Sequence, residues 1–270
     1  MYRLEKYEFE KFMYRPGHRA NYGVLSKPGN REWGMKYSPQ YSYASEHDVL
    51  KKFSHPQIPK RNNCGRGILY EGEKMVLTNH YIVLQHFEGE DIVQYYKDKG
   101  VPDAAEIGNV LKYFSTVTVP LEYLHTKKKH VHTDIKPGHL LLDLETETIG
   151  LIDLELAIKM GDILKGMTKE YAAPEQKQMM KMLQELPEDV SEKTVTKQIS
   201  IDGRADLYSI GLVLFEVLTG KVWHETKQPP MEINKDVPGK LNTIVLGLID
   251  EERDNRLASA KELRDELASV

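Results

Sequence analysis

Short apolar and aromatic runs separated by turn residues make up the first third of the chain. Residues 22–25 (Tyr-Gly-Val-Leu), for example, precede a turn-forming stretch at residues 26–30. Runs of this length between Gly, Pro, Asn and Ser are typical of strands joined by hairpins. Residues 44–53 differ, because their apolar positions follow helical spacing and stop before Pro56. The pattern therefore predicts one helix among the strands.

The composition changes where the apolar residues 81–84 (Tyr-Ile-Val-Leu) give way to residues 88–91 (Glu-Gly-Glu-Asp). Such a change is typical of a strand that leaves a core for a linker. We therefore expect one unit over residues 1–87 and a second over residues 88–270.

Helical periodicity dominates the second unit. Residues 205–219 are apolar nearly all round, which predicts a buried central helix. Pro120 is expected to kink another helix, because proline removes a hydrogen-bond donor. Helices are predicted near residues 90–99, 103–125, 205–219, 238–250 and 258–269. The fold class is therefore α+β, with a small antiparallel sheet and one helix in the first unit and a larger, mainly helical second unit.

Composition and charge exclude several classes of function. The chain has 270 residues and a net charge of -4, with both signs interspersed. Neither nucleic acid nor a membrane surface is therefore expected as a partner. The most apolar stretch, near residues 210–218, is interrupted by Glu216 and is too short to cross a bilayer. The single Cys64 and an N-terminus without a signal-peptide pattern predict a cytoplasmic protein.

Two acidic residues stand 19 positions apart in the region richest in chemical groups. Asp134 lies within residues 132–142 (His-Thr-Asp-Ile-Lys-Pro-Gly-His-Leu-Leu-Leu), and Asp153 follows an apolar run at residues 149–152. The apolar runs beside the two acids predict a hairpin that holds both acids at one end. Two carboxylates in this arrangement suit a metal ion and a transferable phosphate.

This region resembles the catalytic loop and the metal-binding loop of eukaryotic-like Ser/Thr protein kinases, which read H-R-D-x-K-x-x-N and D-F-G. Further motifs follow in the family's order along residues 14–268. Residues 33–36 (Trp-Gly-Met-Lys) resemble V-A-I-K, and residues 173–175 match A-P-E. Residues 206–211 resemble D-x-W-S-x-G, and Arg256 resembles the late arginine that pairs with the A-P-E glutamate. The resemblance implies a bilobal kinase fold similar to that of compact bacterial members.

The resemblance also implies the roles of the catalytic residues. Asp134 would orient the attacking hydroxyl and accept its proton, and Lys136 would neutralise the γ-phosphate. Thr168, together with Lys136, implies that the acceptor is a serine or threonine of a protein substrate. Asp153 would carry the Mg²⁺ that bridges the phosphates.

ATP binding is implied mainly for residues of the first unit. Lys36 would hold the α- and β-phosphates, and Glu46 would orient Lys36 through an ion pair. Adenine would hydrogen-bond to backbone groups near Gln85 and Phe87, with Leu84 as the gatekeeper.

The glycine-rich loop departs from the family pattern. Tyr22 and Gly23 align with its last aromatic-glycine pair, which places His18 and Ala20 where the first two glycines would be. Side chains at those positions keep backbone N–H groups further from phosphate than glycine allows. We therefore expect weakened nucleotide binding.

Three further departures lie in the loops that carry the acids. His139 replaces the asparagine that gives an oxygen to the second metal, and Glu155 replaces the glycine of D-F-G. Because imidazole suits Mn²⁺ better than Mg²⁺, the site is expected to use one metal ion or to accept Mn²⁺. Thr133 replaces the arginine of H-R-D, which disfavours activation by loop phosphorylation.

An insertion relative to the compact family pattern occupies residues 176–203 and carries Met179, Met180 and Met182. The plainer interpretation is a local helix packed on the larger lobe. The alternative is a docking surface or a homodimer contact, because methionine-rich surfaces adapt to partners.

Three functions stay open at this point. The retained lysines and acids favour an ATP-dependent Ser/Thr protein kinase. The missing glycines and the altered metal ligand favour a pseudokinase that acts as a nucleotide-sensing or interaction module. A small-molecule kinase of the aminoglycoside or choline type is disfavoured by Thr168 and the A-P-E segment, which serve to present a peptide.

Overall fold

The computed structural model describes residues 2–13, 21–25 and 33–270. Contacts divide the chain into two units, Met1–Glu88 and Gly89–Val270. Each unit has its own secondary structure and its own buried core.

The described residues of the first unit form six antiparallel strands: β1 (Tyr2–Leu4), β2 (Tyr7–Met13), β3 (Asn21–Leu25), β4 (Trp33–Ser38), β5 (Arg61–Glu71) and β6 (Lys74–Gln85). They close into a barrel in the order β1-β2-β3-β4-β6-β5. Tyr2 of β1 pairs with Glu71 of β5, so the short first strand covers an edge that β5 would otherwise expose. The predicted antiparallel sheet is therefore present, and it is closed.

Alternation along these strands separates a core face from an outer face. Met35 of β4 pairs with Gly23 of β3 and with Val83 of β6, and both Met35 and Val83 are fully buried in the barrel core. Since successive side chains of a strand point to opposite faces, the neighbours of these residues lie on the outer face. Lys36 is one of them, directly opposite Tyr22.

One helix, α1 (Ala44–Leu50), occurs among the described residues of this unit, as predicted. It ends three residues before the predicted end, and hydrogen-bonded turns continue the chain to Phe53. Its buried residues are Glu46, Val49 and Leu50. A carboxylate is seldom buried without a charged partner, so Glu46 is the unusual member of this face.

Helices form most of the second unit: α2 (Ile92–Lys99), α3 (Ala104–Glu122), α4 (Pro174–Gln184), α5 (Lys193–Thr196), α6 (Arg204–Thr219), α7 (Trp223–Thr226), α8 (Pro230–Ile233), α9 (Gly239–Leu248) and α10 (Ala260–Leu267). The five long predicted helices correspond to α2, α3, α6, α9 and α10. The central helix α6 is buried along almost its whole length, as its apolar sequence predicted. No helix of the described residues is long and apolar enough to span a membrane.

Helix α3 changes character after its proline. Asp103 caps its first turn, and the regular α-helix ends at Glu122, short of the predicted residue 125. The chain continues as a π turn (Tyr123–Lys128), which ends at Lys129 in the left-handed conformation with φ of 55°. The α-helix continues through Pro120 to Glu122, and the widened turn begins only after it.

The predicted hairpin for the two acids is present. The short strands of this unit are β7 (Glu90–Asp91), β8 (His130–Val131), β9 (Leu140–Asp143), β10 (Thr148–Leu151) and β11 (Ile158–Lys159). β9 pairs with β10 and with β7, and β8 pairs with β11. Asp134 lies between β8 and β9, and Asp153 follows β10, so both acids emerge where paired strands end.

Candidate active site

Asp134 is the centre of a compact hydrogen-bond group. Its Oδ1 accepts from the Thr168 hydroxyl at 2.6 Å and from the Thr168 backbone N–H at 3.0 Å. Its Oδ2 accepts from Lys136 Nζ at 3.1 Å, and Lys136 also donates to Thr168 Oγ1 at 3.1 Å. The three predicted catalytic residues therefore meet, although 34 positions separate Asp134 from Thr168. Charge-assisted bonds of this kind fix the direction of a carboxylate.

A buried aspartate of α6 holds the backbone of the loop that carries Asp134. Asp206 is fully buried and accepts from the backbone N–H groups of His132 at 2.8 Å and Thr133 at 2.9 Å. Thr133 has a φ of 67°, which is strained for a β-branched residue. Gln176 adds a bond to the Thr133 carbonyl at 2.8 Å. These partners stabilise the strained residue and thereby aim the carboxylate of its neighbour.

Thr133 also shows what replaces the expected arginine. Its side chain is buried, and its hydroxyl donates to the carbonyl of Leu156 at 2.8 Å. A threonine in this position closes the loop internally and offers no cation to a phosphate.

His139 lies between the two acids. Its Nδ1 is 2.7 Å from the backbone carbonyl of Asp134, and its Nε2 is 3.4 Å from Oδ2 of Asp153. A carbonyl only accepts, so Nδ1 carries the ring proton and the Nε2 lone pair faces the carboxylate when the ring is neutral. Burial lowers the pKa of His139 to about 4, against the opposing effect of the Asp153 charge. The neutral ring is therefore the ordinary form.

This geometry suits a cation. A lone pair and a carboxylate 3.4 Å apart repel each other unless a proton or a metal ion lies between them. Imidazole nitrogen and carboxylate oxygen together are ligands for Mn²⁺ as well as for Mg²⁺ with added water. His139 and Asp153, the residues predicted to bind metal, thus have the chemistry that a divalent cation needs in its ligands.

His132 links the two acidic loops. It is fully buried, and its Nε2 bonds the carbonyl of Ile152, next to Asp153, at 3.0 Å. The Ile152 backbone N–H in turn donates to the carbonyl of His139 at 3.0 Å. Asp153 has a φ of 63°, so these contacts also hold a residue in the left-handed region.

In the first unit, the predicted ion pair is present. Lys36 Nζ of β4 donates to Glu46 Oε1 of α1 at 2.8 Å, with side-chain exposures of 15% and 1%. The pair is therefore partly desolvated and is not a surface contact. A partly desolvated pair is electrostatically stronger and more sensitive to loss of one partner than an exposed pair.

The predicted adenine residues lie at the end of β6 and just beyond it. Leu84 is buried and pairs with Gly34 across the sheet, and Gln85 is paired with Trp33. The Gln85 N–H donates to the Lys60 carbonyl at 2.7 Å.

Tyr22 and Gly23 lie on opposite faces of β3. Gly23 occupies a core-facing position opposite Met35, whereas Tyr22 lies on the face of Lys36. The Tyr22 hydroxyl is 2.8 Å from Nδ1 of His86. Sequence reasoning missed His86, because no motif or periodicity connects residues 64 positions apart. The predicted His18 and Ala20 positions lie outside the described residues.

Two framework predictions hold in the second unit. Arg256 donates to both carboxylate oxygens of Glu175, at 2.8 and 2.9 Å, and its side chain is fully buried. The predicted local helix of the 176–203 insertion is part of α4, and Met179 is fully buried there. The plainer interpretation of the insertion therefore fits, and the predicted homodimer contact stays a prediction.

The sequence is similar to protein kinases over most of its length. The protein kinase domain family matches residues 29–269. A probable serine/threonine-protein kinase of Clostridium acetobutylicum is 28% identical over 211 residues, which cover 71% of this chain and 28% of that protein. Serine/threonine-protein kinase PksC of Streptomyces coelicolor is 25% identical over 270 residues, covering 92% of this chain and 44% of that protein. The chain spans less than half the length of these two relatives.

The fold is similar to that of a solved kinase domain. The PknI kinase domain of Mycobacterium tuberculosis, crystallised as a double mutant, has a TM-score of 0.68 and 18% identity, covering 98% of this chain and 96% of that chain. The α+β, kinase-like fold class predicted from the sequence is thereby confirmed.

Proposed function

Because the chain belongs to the protein kinase family, we propose that it is an ATP-dependent Ser/Thr protein kinase that transfers the γ-phosphate of ATP to a hydroxyl group of a protein. The observation that carries the proposal is the bonded group of Asp134, Lys136 and Thr168. The group brings an oriented carboxylate, a cation and a hydroxyl together from two distant segments of the chain, and chance gives no explanation for this combination. The chemistry that needs this combination is transfer of an anionic group to a hydroxyl.

Asp134 accepts the proton of the attacking hydroxyl in this proposal. Its two oxygens offer about four lone-pair sites, of which Thr168 and Lys136 use three, so capacity for an incoming hydroxyl is left. Lys136 neutralises charge on the phosphate, and Thr168 keeps both side chains in place. The hydroxyl oxygen forms a bond to the γ-phosphorus, the bond between the γ-phosphorus and the β,γ-bridging oxygen breaks, and ADP leaves. The proton stays on the carboxylate until it is released to water.

Asp153 and His139 are the proposed metal ligands. Mg²⁺, which the family generally uses, supplies neutralisation of phosphate charge when bound. His139 offers a nitrogen where an asparagine oxygen is usual in the family, and its ring is held by the Asp134 carbonyl at 2.7 Å. We expect this ligand to raise the relative effectiveness of Mn²⁺.

Lys36 and Glu46 are the proposed phosphate-positioning pair, and the backbone near Gln85 and Phe87 is the proposed adenine contact. The ion pair at 2.8 Å supports the first assignment, because it holds the ammonium group in one direction. The burial of Leu84 beside these backbone groups supports its assignment as the gatekeeper.

A pseudokinase is the second candidate, and one observation favours it. The ring of Tyr22 lies over Gly34 on the same sheet face as Lys36. A side chain in that place competes with a nucleotide. The retained Asp134 group has no evident purpose in a protein without phosphotransfer, so the active kinase is the better-supported function.

The deciding experiment is incubation with labelled ATP and either Mg²⁺ or Mn²⁺, with the chain itself and a generic basic protein as acceptors. Label should appear with the wild type, and Asp134→Ala should lose about 10²-fold or more of the rate. Asp236→Ala, an exposed aspartate on the same unit, is the matched control and should keep full rate. Equal labelling by wild type and Asp134→Ala, or no labelling under either metal, would reject the proposal.

A further inference from the structure

A tyrosine ring occupies the part of the first unit that a nucleotide has to cross. Lys36 pairs with Ile82 and Gly34 pairs with Leu84, so β4 runs from the lysine to the end of β6 beside Gln85. A nucleotide whose phosphates meet Lys36 and whose base meets the Gln85 backbone must therefore pass over Gly34. This step rests on the proposed function.

The ring of Tyr22 takes up that space in the structure. A Cβ atom placed on Gly34 would lie 1.8 Å from the Tyr22 hydroxyl oxygen and 2.4 Å from Cζ of the ring. The phenol therefore rests directly against the glycine backbone. Any side chain larger than hydrogen at position 34 would collide with it.

The far end of the ring is also fixed. The Tyr22 hydroxyl lies 2.8 Å from Nδ1 of His86, and the two rings have their centroids 5.9 Å apart with an angle of 32° between their planes. Tyr22 thus begins on β3, crosses β4 at Gly34 and reaches the segment between the two proposed adenine-binding residues, Gln85 and Phe87. All of these contacts lie within the first unit.

We infer that Tyr22 is a gate for the nucleotide: bonded to His86, it fills the adenine position, and ATP binds only after the ring has turned away. The apparent affinity is then the intrinsic affinity reduced by the fraction of molecules in which the ring is displaced. Tyr22 and His86 are each partly exposed, so the ring has a path to solvent. Nucleotide binding then depends on the contact between Tyr22 and His86 as well as on the glycine-rich loop.

Titration calorimetry of the full chain with ATP and Mg²⁺ tests the gate. Tyr22→Ala should bind about three- to tenfold more tightly than the wild type, the factor expected when one net hydrogen bond no longer opposes binding. Gly34→Ala should also tighten binding, because its methyl group displaces the ring. Tyr70→Ala, a partly exposed tyrosine of β5 in the same unit, is the matched control and should leave the affinity unchanged.

A double variant tests whether Tyr22→Ala and Gly34→Ala tighten binding through the same displacement of the ring. Once Tyr22→Ala has removed the ring, Gly34→Ala should add no further tightening, since contacting residues that act through one event are not additive. His86→Ala opens the same contact from its other end and should tighten binding even if Tyr22→Ala folds poorly. Thermal melting of each variant shows whether the fold is intact.

The possible results distinguish the gate from the proposed function. If the wild type binds ATP and Tyr22→Ala binds equally or more weakly, the ring is not a gate and the kinase proposal stands. If neither the wild type nor Tyr22→Ala binds ATP, both the gate and ATP-dependent function are overturned.

Discussion

The proposed catalytic loop of the second unit and the proposed nucleotide face of the first unit are built in opposite ways. Asp134 is fixed by Thr168 and Lys136, and the backbone before it is fixed by Asp206, all with bonds between 2.6 and 3.1 Å. On the nucleotide face, Lys36 has an ion pair with Glu46, and a tyrosine ring covers the neighbouring glycine. The proposed catalytic residues are held by several bonds, whereas a side chain of the protein itself covers part of the proposed nucleotide site.

Under the proposed function, the difference assigns control of the reaction to the nucleotide face. A loop supported by buried hydrogen bonds has little freedom to switch, because each lost bond leaves a buried polar group unsatisfied. The hydrogen bond between the partly exposed Tyr22 and His86 can be exchanged for bonds to water at small cost. We therefore expect variants that break a buried ion pair or hydrogen bond to change stability, and variants of the contact between Tyr22 and His86 to change nucleotide binding.

The largest effect is expected for the buried pair of Arg256 and Glu175. Arg256→Met leaves the Glu175 carboxylate without its guanidinium partner, and this should lower the free energy of unfolding by about 3–5 kcal/mol. The Arg256 side chain is fully buried, so solvent does not reduce the effect. Urea denaturation of the full chain, followed by circular dichroism, measures it.

The double variant Arg256→Met with Glu175→Met serves as the control, because it removes both charges and should recover much of the loss. If the single variant lost less than about 1 kcal/mol, the second unit would not depend on this buried pair.

Lys36→Met is expected to have the next largest effect. It leaves Glu46, which is 1% exposed, without its ammonium partner, and should cost about 1–3 kcal/mol of unfolding free energy. The loss should be smaller than for Arg256→Met because the Lys36 side chain remains 15% exposed. Calorimetry should show that the variant also loses measurable ATP binding. Lys74→Met, an exposed lysine of β6, is the control for the removal of a charge.

A Lys36 variant that bound ATP as tightly as the wild type would remove the lysine from the proposed site. If ATP affinity were unchanged and stability fell strongly, Lys36 would have only a structural role in the first unit.

Much of this arrangement could be predicted from the sequence, and the parts that could not share a physical cause. Asp134 and Thr168 can be named as candidate catalytic residues because they belong to motifs that follow in the order of a known family. Helix α6 can be predicted because its sequence is apolar nearly all round. The contact between Tyr22 and His86 has neither signal. It depends on the register of three strands, which brings Gly34 beside Tyr22, and this register is known only from the folded barrel.

The closure of the barrel shows the same limit. Tyr2 pairs with Glu71 although 69 residues separate them, and local patterns contain no information on such a pairing. The short helices α5, α7 and α8, of four residues each, were missed because one turn has no periodicity to detect.

His139→Asn tests the metal ligand and should have a smaller effect. An amide restores the oxygen that Mg²⁺ prefers, so the ratio of the labelling rate with Mn²⁺ to that with Mg²⁺ should fall about tenfold, which corresponds to about 1.4 kcal/mol. The measurement is labelling of the generic protein substrate at matched metal concentrations. A ratio that stayed at the wild-type value would show that His139 does not contact the metal. His224→Asn, an exposed histidine of α7, controls for loss of an imidazole elsewhere.

The smallest effect is expected for an exposed ion pair in the second unit, and it decides whether burial or the mere presence of ion pairs separates the two regions. Lys261 and Asp265 lie one turn apart on α10, with side-chain exposures of 61% and 59%. Water and salt screen such a pair, so Lys261→Met should change the free energy of unfolding by less than about 0.5 kcal/mol. Urea denaturation at low and high salt should give the same value within that limit. A loss as large as that of Arg256→Met would mean that ion pairs stabilise this unit regardless of burial. Burial would then no longer explain the contrast between the bonded loop of the second unit and the proposed gate of the first unit.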